Sequence, residues 1–329
     1  MTAISTAFGL VFDPTVLAVI MGSAMFGMFV GAMPGLTATM ATALLVPVTF
    51  FMAPVPALGA IVTATAMAIF AGDIPAAMLR MPGTPASAAY ADESYEMTKK
   101  GQLDLCMGVN LVFSVLGGIF GVVILIVLAP VLAEVAINFS SFEYFWLACL
   151  GLTCAVFIGT GDPLKGLLSL FIGLAIGCIG IDPAAGQPRF TFGNVDLLSG
   201  INFIPTLIGM FAVSELLRGA VTMEKGGAVV AQAVGSLMTG VGGVFKKYWF
   251  NFLRGSTIGT VIGALPGAGA DIAAWVSYAV SKKTSKEPEK FGTGHIEGIV
   301  DSTSANNSAL GGAWIPALVF GIPGDSITA

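Results

Sequence analysis

Three aspartates, Asp73, Asp271 and Asp325, each lie in or next to a repeated element that contains a Pro-Gly pair, in otherwise apolar sequence. Proline removes a backbone donor and glycine permits left-handed backbone, so a Pro-Gly pair breaks an apolar helix. In hydrocarbon the released backbone groups must be satisfied by protein, water or a ligand. An ionisable side chain beside such a break usually faces a cavity or a partner. A lone aspartate in such a place suits proton coupling.

Neutral hydroxyls and amides accompany the aspartates at the same places. They are Thr37, Thr39, Thr84, Ser87, Ser302, Ser304, Asn306, Asn307 and Ser326. Together with backbone carbonyls, such groups suit recognition of Na⁺ or of a carboxylate. For each residue taken singly, helix capping or a hydrogen bond between helices explains the side chain equally well.

Helix breaks of this kind form binding sites in membrane carriers. Discontinuous helices in matched positions of two repeats are the best sequence pointer to a transporter's binding site, because half-helix N-termini face anions and unwound carbonyls hold a cation. The candidate substrate- and ion-binding residues are Pro34, Gly35, Leu36, Thr37, Thr39, Asp73, Pro82, Gly83, Thr84, Ser87, Pro266, Gly267, Ala268, Gly269, Asp271, Ser304, Asn306, Asn307, Pro323, Gly324 and Asp325. Kinks and tight helix packing are the alternative use of Gly and Pro in membranes.

The elements that must position these residues are membrane-spanning helices. The 329 residues are 56% hydrophobic and only 10% charged, and no charged side chain occurs between Asp13 and Asp73. A bilayer core needs about 20 apolar residues per helix. We predict spanning or half-spanning segments at 15–33, 37–53, 56–72, 105–131, 143–160, 164–181, 203–221, 252–264, 269–280 and 304–321.

The remaining, more polar stretches are predicted to be solvated loops. They are 91–104, 182–202, 222–250 and 281–301. The lysine-rich run 281–290 favours the cytoplasmic side of the membrane, and Lys99 with Lys100 favours the same side for the loop 91–104, so the absolute orientation stays open. The uncharged stretch 226–243 is compatible with an interfacial helix or with a linker.

The sequence contains an internal repeat. Residues 31–41 match residues 263–273 at an offset of 232, with six of eleven positions identical. Residues 74–83 pair with residues 315–324 at an offset of 241, and the nine extra residues fit the lysine-rich loop. We therefore predict one membrane domain with a first repeat and connecting helices in 1–222 and an incomplete second repeat in 223–329.

Several function classes are disfavoured by the residues. Residues 159–162 match the GxGD pattern of intramembrane aspartyl proteases, but no Tyr-Asp element accompanies Asp162, so we expect no enzyme. Four cysteines without a CxxC pair, and His295 as the single histidine, support neither a zinc site nor a disulfide framework. A net charge of -5 with scattered basic residues excludes a nucleic-acid surface.

Together, these motifs resemble the large membrane subunit (TctA type) of the tripartite tricarboxylate transporters. The motifs that carry the resemblance are GAMPGLTATMATALLVPVTF at 31–50, the stretch 72–101 with its PGTPASAA core, PLKGL at 163–167, GIDP at 180–183, GQPRFTFG at 186–193, GALPGAGADIAAWVSY at 263–278 and SANNSALGGAWIPALVFGIPG at 304–324. They follow the family's order and cover almost the whole chain.

The resemblance implies a function and partners. It implies an ion-coupled permease, a symporter in a bacterial inner membrane, with no cofactor and with Na⁺ or H⁺ as the coupling ion. It also implies a small membrane subunit of TctB type and a periplasmic solute-binding protein of TctC type that delivers a small carboxylate. In this scheme the anion docks between the Pro-Gly loops near Leu36 and Ala268, and the Asn306-Asn307 segment with the Pro82 and Pro323 loops closes the site.

Two departures from the family pattern stand out. Residues 301–304 read DSTS where many relatives carry an acidic, proline-containing approach to the Asn-Asn pair. Family members also continue well past a GIPG element, whereas this sequence has five residues after it. We therefore expect a fragment or a truncated gene product.

The predicted fold class is an all-α polytopic membrane protein with about 9 or 10 spanning or half-spanning segments and an internal, inverted repeat with broken Pro-Gly helices. An ion or solute channel is the main alternative function, because broken helices also build selectivity filters. A fragment without transport activity is the other. Saturable uptake that depends on an ion gradient distinguishes a carrier from a channel.

Overall fold

The computed structural model describes residues 2–33, 36–136, 138, 140, 142–143, 145–146, 149, 163–182, 186–201, 217, 235–265, 268–325 and 327–328. Within these residues the fold is helical, apart from a two-residue antiparallel pairing of β1 (Gly180–Ile181) with β2 (Pro188–Arg189). The predicted segments at 143–160 and 203–221 fall almost entirely outside the described residues. The all-α fold class is confirmed.

Eleven helices occur in the described part of the chain. They are α1 (Thr2–Val11), α2 (Pro14–Ala32), α3 (Ala38–Thr49), α4 (Pro54–Ala71), α5 (Asp73–Leu79), α6 (Ala91–Lys99), α7 (Leu103–Ala136), α8 (Pro163–Gly177), α9 (Val241–Gly263), α10 (Gly269–Thr284) and α11 (Ile296–Phe320). Short 3₁₀ turns lie at Ser87–Ala89, Val195–Ser199 and Pro288–Lys290.

Three stretches among the described residues are long and apolar enough to cross a membrane. They are Pro14–Ala32, Pro54–Leu79 and Leu103–Glu134. Their outward faces expose large apolar side chains such as Phe29 and Ile126. Exposed apolar faces of this extent are expected where lipid, rather than water, is the solvent.

The local sequence explains where several helices begin and end. Asp13 caps α2 by accepting the backbone N–H groups of Thr15 and Val16, and Pro14 occupies the first helical position, where its missing N–H has no consequence. Helix α11 is capped at its C-terminal end by Gly321, whose φ of 67° is the left-handed value that a glycine adopts at little cost.

Three predicted loops contain helix. Helix α6 fills most of 91–104, α9 begins at Val241 inside the predicted loop 222–250, and α11 begins at Ile296 inside 281–301. These loop predictions were wrong because they assumed that the charged residues of these stretches are exposed to solvent. The structure instead buries part of α6, and it pairs the charges near the start of α11 with Arg254 of α9.

Helix α11 is the centre of the second half of the fold. It packs against α7, α9 and α10, and every residue from 298 to 313 is buried. Six of the sixteen residues in that stretch are Gly or Ala, and small side chains let neighbouring helices approach closely. In the first half of the chain, α4 packs in a similar manner against α2 and α3.

The internal similarity has a structural counterpart in glycine contacts. A Cβ atom at Gly31 of α2 would collide with the carbonyl oxygen of Ala68 in α4, and one at Gly263 of α9 would collide with that of Ala309 in α11. The glycines differ by 232 and their contact residues by 241, which are the two offsets of the repeat. One turn earlier the equivalent pairs are Gly27 with Ala64 and Gly259 with Ala305.

The repeat's packing is therefore present in both halves of the chain. The proposed division between 222 and 223 stays a prediction, because residues 218–234 lie outside the described part.

Candidate functional site

The start of α10 meets the two loops that carry the later Pro-Gly elements. Gly269 has a φ of 63°, and a Cβ atom there would lie 2.9 Å from Cβ of Asp325. The carboxylate of Asp271 accepts the backbone N–H of Ala86. The indole Nε1 of Trp275 donates to the carbonyl oxygen of Pro85 at 3.2 Å. The second-repeat break and the PGTPAS loop of the first repeat are therefore in contact.

The first-repeat break reaches the same loops from the other side. A Cβ atom at Gly83 would lie 2.7 Å from the carbonyl oxygen of Gly31, at the end of α2. Leu36, just before α3, packs in a small apolar cluster together with Ile327. Described residues that flank or belong to all four breaks are thus linked by contacts, although they are separated by up to about 290 residues in the sequence.

Hydroxyl groups near the breaks are partly used in local turns. Thr37 caps α3 by accepting the backbone N–H of Met40 at 3.2 Å. Thr84 and Ser87 exchange backbone-to-hydroxyl bonds at 3.1 Å in both directions, and both are buried. Thr39 is half-buried on the first turn of α3. These groups fix the loops in shape and hold the breaks in place.

The electrostatic character of the convergence is acidic. The charge of Asp325 acts on Asp271 unfavourably, and none of the ion pairs formed by the described residues includes either carboxylate. Asp325 accepts the backbone N–H groups of Ile327 and Thr328. Ala268 offers no side-chain cap to α10, so the N–H groups of that first turn lack a local acceptor of this kind. An anion at this place therefore requires a cation beside it.

A second polar group lies inside the helix packing, between the two halves of the chain. The hydroxyl of Tyr90 donates to Oδ1 of Asp73 at 2.6 Å and accepts Nδ2 of Asn306 at 3.3 Å. Thr303, one turn before Asn306, lies against the same hydroxyl and donates to Oδ1 of Asn110 at 3.0 Å. All five side chains are at most 1% exposed. We call these five residues the interior cluster.

Other predicted site residues lie elsewhere. Asn307 donates to Ser114 at 2.8 Å, and both line an apolar cavity of about 490 Å³ between α4, α7 and α11. Ser304 donates to the carbonyl oxygen of Val300, and its backbone lies against Gly117 of α7. Neither is in contact with the broken elements in the described structure.

The prolines and glycines of the breaks divide into three groups. Pro82 and Pro323 are exposed. Gly324 is buried against Ala313, and Ala268 is buried at the start of α10. Pro34, Gly35, Pro266 and Gly267 lie outside the described residues.

A buried ion-pair network that the sequence analysis did not single out joins α9 to α11. Arg254 donates to both carboxylate oxygens of Asp301, at 2.9 and 2.6 Å, and Asp301 is fully buried. Asn251 and Ser281 donate to the same carboxylate at 2.9 and 2.7 Å. Glu297 lies 3.7 Å from the guanidinium. This network satisfies its own charges, which is typical of a structural element.

Glu93 of α6 forms a second unanticipated contact between the halves. Its fully buried carboxylate accepts the backbone N–H groups of Gly292, Gly294 and His295, and the hydroxyl of Tyr278 at 2.8 Å. The acceptor and the three backbone donors are about 200 residues apart in sequence. The clue available from the sequence was the pair of glycines in GTGH, just before α11.

Charged groups at the polar edge behave as exposed pairs. The pKa of the Arg80 guanidinium is raised above its ordinary value because Asp92 accepts a hydrogen bond from it at 2.7 Å. The pKa of Glu287 is lowered because Lys290 donates to its carboxylate. Among the described residues there is no group of three His, Cys, Asp or Glu side chains that could hold a metal ion.

Comparison with known proteins gives a consistent result. The model of the "Tripartite tricarboxylate transporter TctA family" matches residues 17–329. An "Uncharacterized 52.8 kDa protein in TAR-I ttuC' 3'region" of Agrobacterium vitis is 35% identical over 305 residues, which are 93% of this chain and 60% of that protein. An "Uncharacterized protein in TAR-II ttuC' 3'region" of the same organism is 45% identical over 71 residues, covering 22% of this chain and 29% of that protein.

The chain therefore spans about three fifths of the length of the first of these relatives. No solved structure matches the chain.

Proposed function

Because the chain belongs to the TctA family of the tripartite tricarboxylate transporters, we propose that it is the permease subunit of an ion-coupled secondary transporter that imports small organic carboxylates. Its family is one of membrane transporters, so membrane location and a transport role follow from membership. The substrate class, the coupling ion and the delivery by a binding protein are parts of the proposal.

The observation that carries the proposal is the set of contacts among described residues beside the four breaks. Leu36 and Gly83 from one repeat, and Gly269 and Asp325 from the other, lie at one place. Carriers with repeated folds bind substrate where discontinuous helices of two repeats meet, because the exposed backbone groups there replace water around an ion.

The charges at this place favour co-binding of an anion and a cation. The N-termini of α3 and α10 supply positive dipole ends for a carboxylate. Asp271 and Asp325 repel the same carboxylate unless a cation, Na⁺ or H⁺, neutralises them. Binding of substrate and ion is then mutually dependent, which is what coupled transport requires.

The partners are proposed on the same basis. Tripartite transporters contain further subunits, and we propose a small TctB-type membrane subunit and a periplasmic TctC-type binding protein. The cell inner membrane, crossed several times, is the corresponding location. Symport with the coupling ion then accounts for accumulation of the acid.

The test is uptake of a radiolabelled carboxylate panel into cells that express the chain with the small subunit and binding protein encoded beside its gene. We expect saturable uptake of one acid that stops when the Na⁺ or H⁺ gradient is collapsed. Uptake that continues without a gradient and does not saturate would indicate a channel. Uptake of no acid would remove the proposal.

A matched pair of glycine substitutions ties the activity to the site. Gly269→Leu places a side chain at a left-handed φ and against Asp325, so we expect uptake to be lost. Gly173→Leu on α8 meets no atom within 4 Å and serves as the control. Equal uptake in both variants, at equal amounts in the membrane, would place the substrate elsewhere.

A further inference from the structure

Asp73 is a buried carboxylate without a positive partner. Its side chain is 1% exposed, and none of the ion pairs formed by the described residues includes it. Tyr90 donates to Oδ1, whereas Oδ2 accepts a hydrogen bond from no described residue. An isolated ionised carboxylate costs several kcal/mol or more when removed from water, and such groups are neutralised instead.

The groups around Asp73 are themselves neutral. Tyr90 and Cys106 are the titratable side chains that act on it, and both are fully buried. Helices α2 and α4, which pack beside α5, contain no charged residue. On α7, the carboxylate of Asp104 already accepts a hydrogen bond from the backbone N–H of Gly235.

The acids and bases of the remaining neighbours are already paired. On α6, three backbone N–H groups donate to the carboxylate of Glu93. The other charged side chains of α6 are in exposed ion pairs, Asp92 with Arg80 at the end of α5 and Glu96 with Lys99. On α11, Glu297 and Asp301 face Arg254. Among the described residues of these elements, no cation is therefore left to neutralise Asp73.

The interior cluster contains two acceptor oxygens that receive no hydrogen bond from the described residues. Oδ1 of Asn306, like Oδ2 of Asp73, is buried and receives no hydrogen bond from the described residues. The amide orientation of Asn306 is set by its neighbour, because the Tyr90 hydroxyl already donates to Asp73 and can only accept from Nδ2. One added proton would supply a donor and remove the charge.

We propose that the carboxyl group of Asp73 takes up a proton and gives it back during each transport cycle, and that the closed packing described here is its protonated state. The proposal rests on the function proposed above and assigns the coupling ion and its site. The proton forms an O–H bond to Oδ2 on the side of higher proton concentration. It leaves on the other side, so that one proton accompanies the substrate.

The position of Asp73 connects the proton to the substrate. Gly72, its neighbour, accepts the backbone N–H of Gly83 at 3.1 Å and lies against Thr84, in the loop that meets α10. Tyr90 and Asn306 link the same carboxyl to the second repeat. A charge on Asp73 would therefore disturb contacts within the first-repeat break and between the repeats, which is a means of linking the ion to the opening of the site.

Sodium fits this cluster less well than a proton. A metal cation of this kind takes several oxygen ligands, whereas the cluster offers two oxygens without partners and its hydroxyl groups are already used. A proton needs a single acceptor atom. We therefore assign the proton, with Na⁺ as a competing outcome of the test.

A spectroscopic measurement tests protonation without any transport. Infrared spectra of the purified chain in lipid, recorded at neutral pH in H₂O and D₂O, should show a carboxylic C=O band that Asp73→Asn lacks. Asp92→Asn, which changes an exposed aspartate near the same loop, should keep the band. A spectrum identical for the wild type and Asp73→Asn would overturn the proposal.

A transport measurement tests the coupling. In proteoliposomes with the partner subunits, Asp73→Asn should lose accumulation driven by a pH gradient by about tenfold or more, the usual scale of coupling between sites. Exchange of labelled for unlabelled acid, which needs no net proton movement, should continue at about the wild-type rate. Retained exchange also shows that the variant is folded.

The outcomes separate this inference from the proposed function. Wild-type transport together with pH-driven accumulation in Asp73→Asn would refute the proton site and leave the carrier intact. Accumulation driven by Na⁺ alone in the wild type would likewise refute it. Loss of exchange in Asp73→Asn, with Asp92→Asn unaffected, would reassign Asp73 to the substrate site. No wild-type transport of any acid would refute the proposed function itself, whatever the infrared spectrum shows.

Discussion

In the first half of the chain Gly83 rests against Gly72, and in the second half Gly324 rests against Ala313. A Cβ atom added to either Gly83 or Gly324 would lie 2.6 Å from the Cα atom of the facing residue. The residue that follows the facing one is Asp73 in the first half and Trp314 in the second. Both have a buried polar atom, Oδ2 or Nε1, without a partner among the described residues. The same backbone arrangement therefore presents an acid in one repeat and an indole in the other.

On the neighbouring helices the charged residues lie in the second repeat, and small uncharged residues take their places in the first. Arg254 and Asp301 of the second repeat correspond, at the offsets of 232 and 241, to Gly22 and Ala60 of the first. The second half thus has a satisfied ion pair at positions where the first has no charge at all. The two halves therefore share their helix packing but differ in their polar side chains. The proton site proposed above lies in the first half, whereas the corresponding helices of the second half contain a buried ion pair.

The largest effect is expected from breaking the ion pair of the second half. Arg254→Leu leaves the fully buried Asp301 without its counter-charge and should lower the free energy of unfolding by about 3 kcal/mol. Thermal unfolding in detergent measures the loss. Adding Asp301→Asn should recover part of it, because the charge is then gone.

The exposed pair of Arg80 with Asp92 provides the control. Arg80→Leu should leave stability almost unchanged, since both partners are solvated. Equal losses in the two arginine variants would show that the second half is not held by this network.

A smaller, matched effect is expected from the glycines that the two halves share. Gly31→Ala and Gly263→Ala each force a methyl group against a carbonyl oxygen of the facing helix and should cost about 2 kcal/mol apiece. Gly22→Ala on α2 has open space and should gain up to about 1 kcal/mol from helix propensity. A loss confined to one half, measured by the same unfolding assay, would contradict equivalent packing.

The smallest effect is expected where the halves touch through Glu93. Glu93→Gln removes the charge and leaves one acceptor oxygen for the donors that now share two, so stability should fall by about 1.5 kcal/mol. Hydrogen exchange of the amides of Gly292, Gly294 and His295 should accelerate. The exposed Glu289→Gln variant should leave the exchange of these amides unchanged, and unchanged exchange in Glu93→Gln would mean that other contacts hold the loop.

The repeat and the apolar helices were accessible from the sequence for a physical reason. Pro-Gly pairs within apolar runs are costly in a membrane, so two pairs in the same order point to one arrangement used twice. Asp73 and Asn306 were singled out by the same reasoning, as polar groups in the wrong solvent. The residue that joins them in one cluster is Tyr90, which lies just before the predicted loop 91–104 and was not singled out from the sequence.

The remaining contacts depend on groups that are distant in sequence. Glu93 lies in a strongly charged segment, and local composition predicts solvation for such a segment. Its burial is explained by backbone donors some 200 residues later. Arg254 and Asp301 are likewise 47 residues apart, and no local pattern marks them as partners. Asn307 was placed near the site by its neighbour Asn306, but on α11 adjacent residues point about 100° apart, toward different helices.

The carboxylate of Glu93 also has a consequence for rates. Any motion that separates α6 from the loop before α11 must break three backbone hydrogen bonds to one carboxylate, and separation from α10 breaks a fourth, from Tyr278. Because these bonds break before water can replace them, we expect a large activation enthalpy for such a motion and a rate that rises steeply with temperature.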